Sequence, residues 1–150
     1  MLFLNHFQLF ETDGPKQLFH LFLLLPKQGI QILYIITMKQ EITFEHYNKV
    51  EIKVGTVLSV SKNEKARKPS LVIEVDFGES IGIKKSSAQI THYYNNENLV
   101  GKQVIGVCNF PKKNIAGIVS EVLILGAIEK DGKVVLVHPS QKVENGLEIA

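Results

Sequence analysis

The residues best placed to do chemistry in this 150-residue chain are its lysines, because they fall in three short groups. Lys62, Lys65, Arg67 and Lys68 lie within seven positions, Lys84 and Lys85 are adjacent, and so are Lys112 and Lys113. Cations spaced this closely suit a run of phosphates, whose charges repeat every few ångströms along a backbone. The same lysines would also serve merely to solvate a loop, so their position in the fold decides their meaning. Other chemistry is poorly supported. Nucleotide-binding glycine loops, zinc-protease motifs and nucleophile elbows do not occur in the sequence. Asp76 and Glu79 form a close carboxylate pair at a strand end, which reads as a solvated rim. Ser86-Ser87 reads as a helix cap, since His92 has no orienting acid nearby. The single cysteine, Cys108, lies in the apolar run Val104–Phe110 and reads as a small core residue. With one cysteine and five scattered histidines there is no metal cluster or intramolecular disulfide to propose, and no cofactor is expected. These features describe a non-enzymatic chain suited to a reducing cytoplasm.

The elements that must position these cations are mostly strands. Ile52, Val54, Thr56 and Leu58 alternate with Glu51, Lys53, Gly55 and Val57, which predicts a first strand over 51–61, with a bend or bulge at Gly55. The charged segment 62–69 is a loop. Leu71, Ile73, Val75 and Phe77 alternate with Val72, Glu74, Asp76 and Gly78 as a second strand, and 81–85 is a short third. Ser86 to Gln89 has capping-box spacing, predicting a short helix through about Tyr93, with Asn95-Asn96 as breakers. A fourth strand is expected over 103–109, and a hairpin over 121–128 and 133–138, turned at Asp131-Gly132. The tail 139–150 shows little pattern. The expected fold is all-β: an OB-type, five-stranded Greek-key barrel with one short helix between strands three and four. In such a barrel the loops after strands one and four flank the oligonucleotide-binding face. All three cation groups fall there or on the strand between.

Residues 1–37 differ in kind. They hold about 20 apolar residues, five of the eight Phe, and no Val or Ala. Neither apolar run, 18–25 or 30–36, approaches the ~20 residues of a membrane-spanning helix, so no membrane insertion is expected. The flanks also lack signal-peptide character. The expected organisation is a non-native apolar extension over 1–37, a start at Met38, and one domain over 38–150. Lys16 and Lys27 cancel Glu11 and Asp13, so the formal net charge of +2 belongs wholly to that domain.

Several blocks resemble a known family. Val50 to Val57 resembles the opening of the EMAP-II-like tRNA-binding domain, found at the C-terminus of many methionyl-tRNA synthetases and in free-standing proteins. Glu64 to Ser70, Asp76-Phe77-Gly78, Ile83 to Thr91, Asn109-Phe110-Pro111 and Ser120 to Leu123 are similar, more narrowly, to the CsaA subgroup of export-related chaperones. Similarity covers about residues 42–149. It implies an OB fold, a cytoplasmic homodimer joined through segments flanking the barrel, and contact with RNA by the block from Asn109 to Ser120. Asn109, Lys112, Lys113 and Ser120 match that block, while Ile115-Ala116-Gly117-Ile118 is less basic than in synthetase appendices. The expected ligand is tRNA or another structured RNA. It would be held at its phosphates by Lys65, Arg67, Lys68, Lys84, Lys85, Lys112 and Lys113, with hydrogen bonds from Asn109 and Ser120. The alternative implied by the subgroup is a homodimeric chaperone binding unfolded or pre-secretory polypeptides.

Overall fold

Strand β1 (Ile52–Lys62) is eleven residues long and pairs with different strands at its two ends. Its first half, Ile52 to Thr56, lies antiparallel to β4 (Gln103–Val107), and its second half, Thr56 to Lys62, lies antiparallel to β2 (Leu71–Asp76). Strand β2 then pairs along its full length with β3 (Ile83–Ala88). Strand β7 (Leu123–Ile124) adds to β4, giving the order β3-β2-β1-β4-β7. The sheet curls until its edges meet, where the Glu121 amide donates to the Lys85 carbonyl at 2.7 Å. This is the five-stranded, nearly closed OB-type barrel that the strand pattern predicts. The structure is a computed structural model and describes residues 39–150, so the expectations for residues 1–37 and for a start at Met38 lie outside the described residues.

Inside the barrel, Val57, Ile73, Val75, Phe77, Leu99 and Val104 are almost fully enclosed. Burial of such side chains contributes roughly 1.5–3 kcal/mol each. The alternation along β1 breaks partway, however. Val57 is buried and Val60, three residues on, also packs on the core, whereas Leu58 is 45% exposed, because Leu58 is an extra residue between the pairs Val57–Val75 and Ser59–Glu74. One inserted residue reverses the parity of every later side chain. The bend expected at Gly55 therefore falls at Leu58. Gly55 instead lets β2 pack close, since a Cβ there would lie 2.7 Å from Val75 Cγ1 and 2.8 Å from the Asp76 carbonyl oxygen.

The helix is displaced from its expected place. Ser86, Ser87 and Ala88 continue β3, opposite Ile73, Val72 and Leu71, rather than capping a helix. A capping box satisfies two local donors, while these three residues complete a long-range ladder on a buried sheet. The helix between β3 and β4 is a single turn, α2 (Asn96–Leu99), anchored by the buried Leu99. The supposed breaker Asn95 is its cap: Asn95 Oδ1 accepts from the amides of Glu97 and Asn98 at 2.9 and 3.0 Å. A second one-turn helix, α1 (Phe44–Tyr47), precedes β1.

Two hairpins complete the unit. Strands β5 (Lys113–Ile115) and β6 (Ile118–Ser120) form one that strand alternation did not indicate. Its central residues, Ala116 and Gly117, have φ of +49° and +82°, the mirror-image turn that matches strand twist. Strands β8 (Gly126–Ile128) and β9 (Val134–Leu136) form the other, turned at Asp131-Gly132 as expected but shorter than its predicted arms.

Candidate nucleic-acid interface

The loop after β1 is closed at its neck by two buried polar residues. The Asn63 amide donates to the Ser70 carbonyl at 2.9 Å, and Asn63 Oδ1 accepts from the Lys65 amide at 3.2 Å. Ser70 Oγ donates to the Lys68 carbonyl at 2.9 Å. Held in this way, the loop projects Lys65, Arg67 and Lys68 into solvent. Asn63 also reaches outward from the loop. Its Nδ2 donates to Ser87 Oγ on β3 at 3.3 Å and to the Ile115 carbonyl of β5 at 3.4 Å. One side chain thus ties the β1–β2 loop, the third strand and the β5–β6 hairpin together. Contact continues at the hairpin tip, where Gly117 leaves room for the Lys65 stem; a Cβ there would lie 3.4 Å from Lys65 Cδ.

Lys84 and Lys85 are consecutive residues of β3, so their side chains leave opposite faces of the strand. Lys85 Nζ lies 3.2 Å from Glu74 Oε1, and Ser59 Oγ donates to Glu74 Oε2 at 2.8 Å. The Ser59 hydrogen bond, then Lys85, hold the Glu74 carboxyl below its ordinary range. On the neighbouring edge Lys112 Nζ lies 2.7 Å from Glu121 Oε1. That bond is the main reason the Glu121 carboxyl is also held low, with help from the Lys85 backbone amide and the charges of Lys112 and Lys84. Among the described residues, Lys65, Arg67, Lys68, Lys84 and Lys113 have no carboxylate within ion-pair distance. Lys85 and Lys112 do.

Asn109 and Ser120 are engaged internally. Asn109 Oδ1 accepts from the Glu51 amide at 3.0 Å and its Nδ2 donates to the Lys49 carbonyl at 2.6 Å, pinning the end of β4 to the segment before β1. Ser120 is buried; its hydroxyl accepts from the Ser87 amide at 3.4 Å and donates to the Val122 carbonyl at 3.5 Å, closing the barrel seam. The structure therefore ties the loop that carries Lys65, Arg67 and Lys68 to β3 and to the hairpin that carries Lys113, sets Lys85 against Glu74 and Lys112 against Glu121, and gives Asn109 and Ser120 bracing positions. Asn63 and Glu121 were missed from sequence. The only signal for Asn63 was its place at a strand end two residues before a lysine, a common local-turn pattern. Cys108 is half-buried, and burial with the nearby Glu51 charge pushes its thiol up to about 11, a poor nucleophile at neutral pH.

A nearly closed OB-type barrel whose two rim loops are tied together and carry unpaired cations belongs to the class of oligonucleotide-binding modules. Residues 52–148 match the family described as "Putative tRNA binding domain", and the chain belongs to that family. It is 34% identical over 112 residues to the methionine–tRNA ligase of Bacteroides fragilis, an alignment covering 75% of this chain and 16% of the ligase. The chain thus corresponds to a small part of the curated relatives it matches. Among solved structures it is similar to the chaperone CsaA of Bacillus anthracis str. Ames (TM-score 0.70, 42% identity, covering 74% of this chain and 100% of that one). It is likewise similar to the CsaA chaperone protein of Picrophilus torridus (TM-score 0.68, 45% identity, covering 73% and 100%). Among the described residues no helix is long and apolar enough to cross a membrane.

Proposed function

We propose that this protein binds tRNA or another structured RNA in trans, without catalysis, by neutralising its phosphates along the rim of the barrel. The observation that carries the reading is the Asn63 tie, which joins the loop bearing Lys65, Arg67 and Lys68 to the hairpin bearing Lys113 across β3, as one arc of phosphate contacts would need. Lys65, Arg67, Lys68, Lys84 and Lys113 are the primary phosphate contacts. Lys85 and Lys112 join when phosphate competes with Glu74 and Glu121 for them, and Asn109 and Ser120 act by bracing the rim. A cytoplasmic homodimer would present two such arcs.

Titration with bulk tRNA at two salt concentrations tests this. Each phosphate contact contributes a slope of roughly 0.7–0.9 in log affinity against log salt, so five contacts give about four. Lys65→Glu/Lys113→Glu should weaken binding at low salt at least tenfold and flatten the slope. Unchanged affinity in that variant overturns the phosphate mechanism. Likeness to CsaA chaperones supports a second reading, a polypeptide-binding chaperone acting in export. Salt-insensitive binding of an unfolded polypeptide, with no tRNA binding, would favour it.

A further inference from the structure

Beside the cation arc lies a groove of about 580 Å3, between the β5–β6 hairpin and the barrel wall. That volume falls within the roughly 300–1,000 Å3 of small-molecule sites. Phe110 forms part of its lining and is 49% exposed, whereas Phe77, in the core, is fully buried. Among the described residues no other ring stacks on Phe110. The groove also contains Lys113, whose ammonium is unpaired among the described residues, and Gln89, whose amide makes no hydrogen bond there. An open aromatic face, an uncommitted amide and a cation in one groove are the three groups needed to hold a nucleotide. The ring stacks on the base, the amide can both donate to and accept from the base edge, and the ammonium meets the phosphate. The positive rim complements a phosphate chain and not an apolar peptide alone.

We infer that this groove takes one unpaired base of the bound RNA, stacked on Phe110, with its edge at Gln89 and the adjoining phosphate on Lys113. The inference rests on the RNA reading above and sharpens it: the ligand must present an unstacked nucleotide, as a loop or a free end does, and not a continuous duplex.

The full chain contains no tryptophan, so Phe110→Trp places a single fluorophore in the groove. Its emission should be quenched by tRNA and by a single-stranded oligoribonucleotide, and not by a blunt RNA duplex. Phe110→Ala should weaken binding of tRNA by roughly five- to hundredfold with the salt slope unchanged, since stacking releases no counterions. Lys65→Glu should instead lower the slope. If the wild type binds tRNA and Phe110→Ala binds equally well, or the Phe110→Trp emission stays unquenched in the complex, the base subsite is wrong while the phosphate arc stands. Quenching by an unfolded polypeptide but not by RNA makes the groove a peptide site and overturns the inference. A wild type that binds no RNA even at low salt overturns the underlying reading and the inference with it.

Discussion

Asn63 and Glu121 show how much of the rim depends on single side chains that carry no obvious functional signature. Asn63 is buried and uses its amide on both the β3 and β5 sides while its oxygen shapes its own loop. Removing it leaves Ser87 and the Ile115 carbonyl short of a donor. Asn63→Ala should therefore cost about 1–3 kcal/mol, read as a lower urea midpoint, and should weaken tRNA binding with no change in net charge. Glu121 acts through its ionisation. Its carboxyl titrates lower in the folded protein than in the unfolded chain, so the unfolded state takes up a proton first as pH falls. The stabilisation it supplies is complete at neutral pH and disappears as pH drops from the ordinary carboxylate range through the lowered folded value. Glu121→Gln should flatten the acid limb of a plot of unfolding midpoint against pH, from the ordinary carboxylate range downward. At this scale the sequence displayed the cations clearly. It could not display their partners, because an Asn in a turn and an Asn bridging two loops are the same letter.

At the scale of elements the β5–β6 hairpin is the main unexpected feature. Its arms are three residues each, too short for alternation to register, and its turn uses Ala116 in a left-handed conformation. Left-handed backbone costs a non-glycine residue roughly 1–2 kcal/mol. Ala116→Gly removes that strain but adds freedom to the unfolded chain, so a net gain of about 0.5–1 kcal/mol should appear as a higher urea midpoint. A fall in the midpoint would contradict the strained turn. The misplaced helix has a related cause. Capping-box spacing at Ser86–Gln89 is a local preference, and it yields to β2, which offers those residues a ladder and a buried face for Ser86.

For the whole molecule, the tail with little pattern turns out to complete the barrel's spine. Strand β2 begins its pairing with β1 only at Thr56, so the preceding stretch of β1 has one open edge. The tail fills it. The Gly146 amide donates to the Val54 carbonyl at 2.8 Å, the Val54 amide to the Leu147 carbonyl at 3.0 Å, and the Ile149 amide to the Ile52 carbonyl at 2.9 Å. Asn145 adds side-chain bonds to Thr56 at 2.7 Å and to Asp76 at 3.2 Å. Ending the chain after Lys142 should cost about 3 kcal/mol, about 1 for each lost backbone bond, and shift the thermal midpoint downward accordingly. A midpoint unchanged by the truncation would show the tail to be dispensable.

The sequence by itself determined the first four strands and their order along the chain, the apolar face of β2, the turn at Asp131-Gly132 and the grouping of cations at three places. These are local properties, set by alternation with period two and by residues whose preferences hold wherever they occur. Only the tertiary structure decided that Leu58 bulges and reverses the parity of β1, that β3 runs on through Ala88, that the tail closes β1, and that Asn63 joins two loops into one rim. Each of those outcomes depends on which distant segment arrives alongside, and residues as far apart as Thr56 and Asn145 leave no mark of their meeting in the pattern of either.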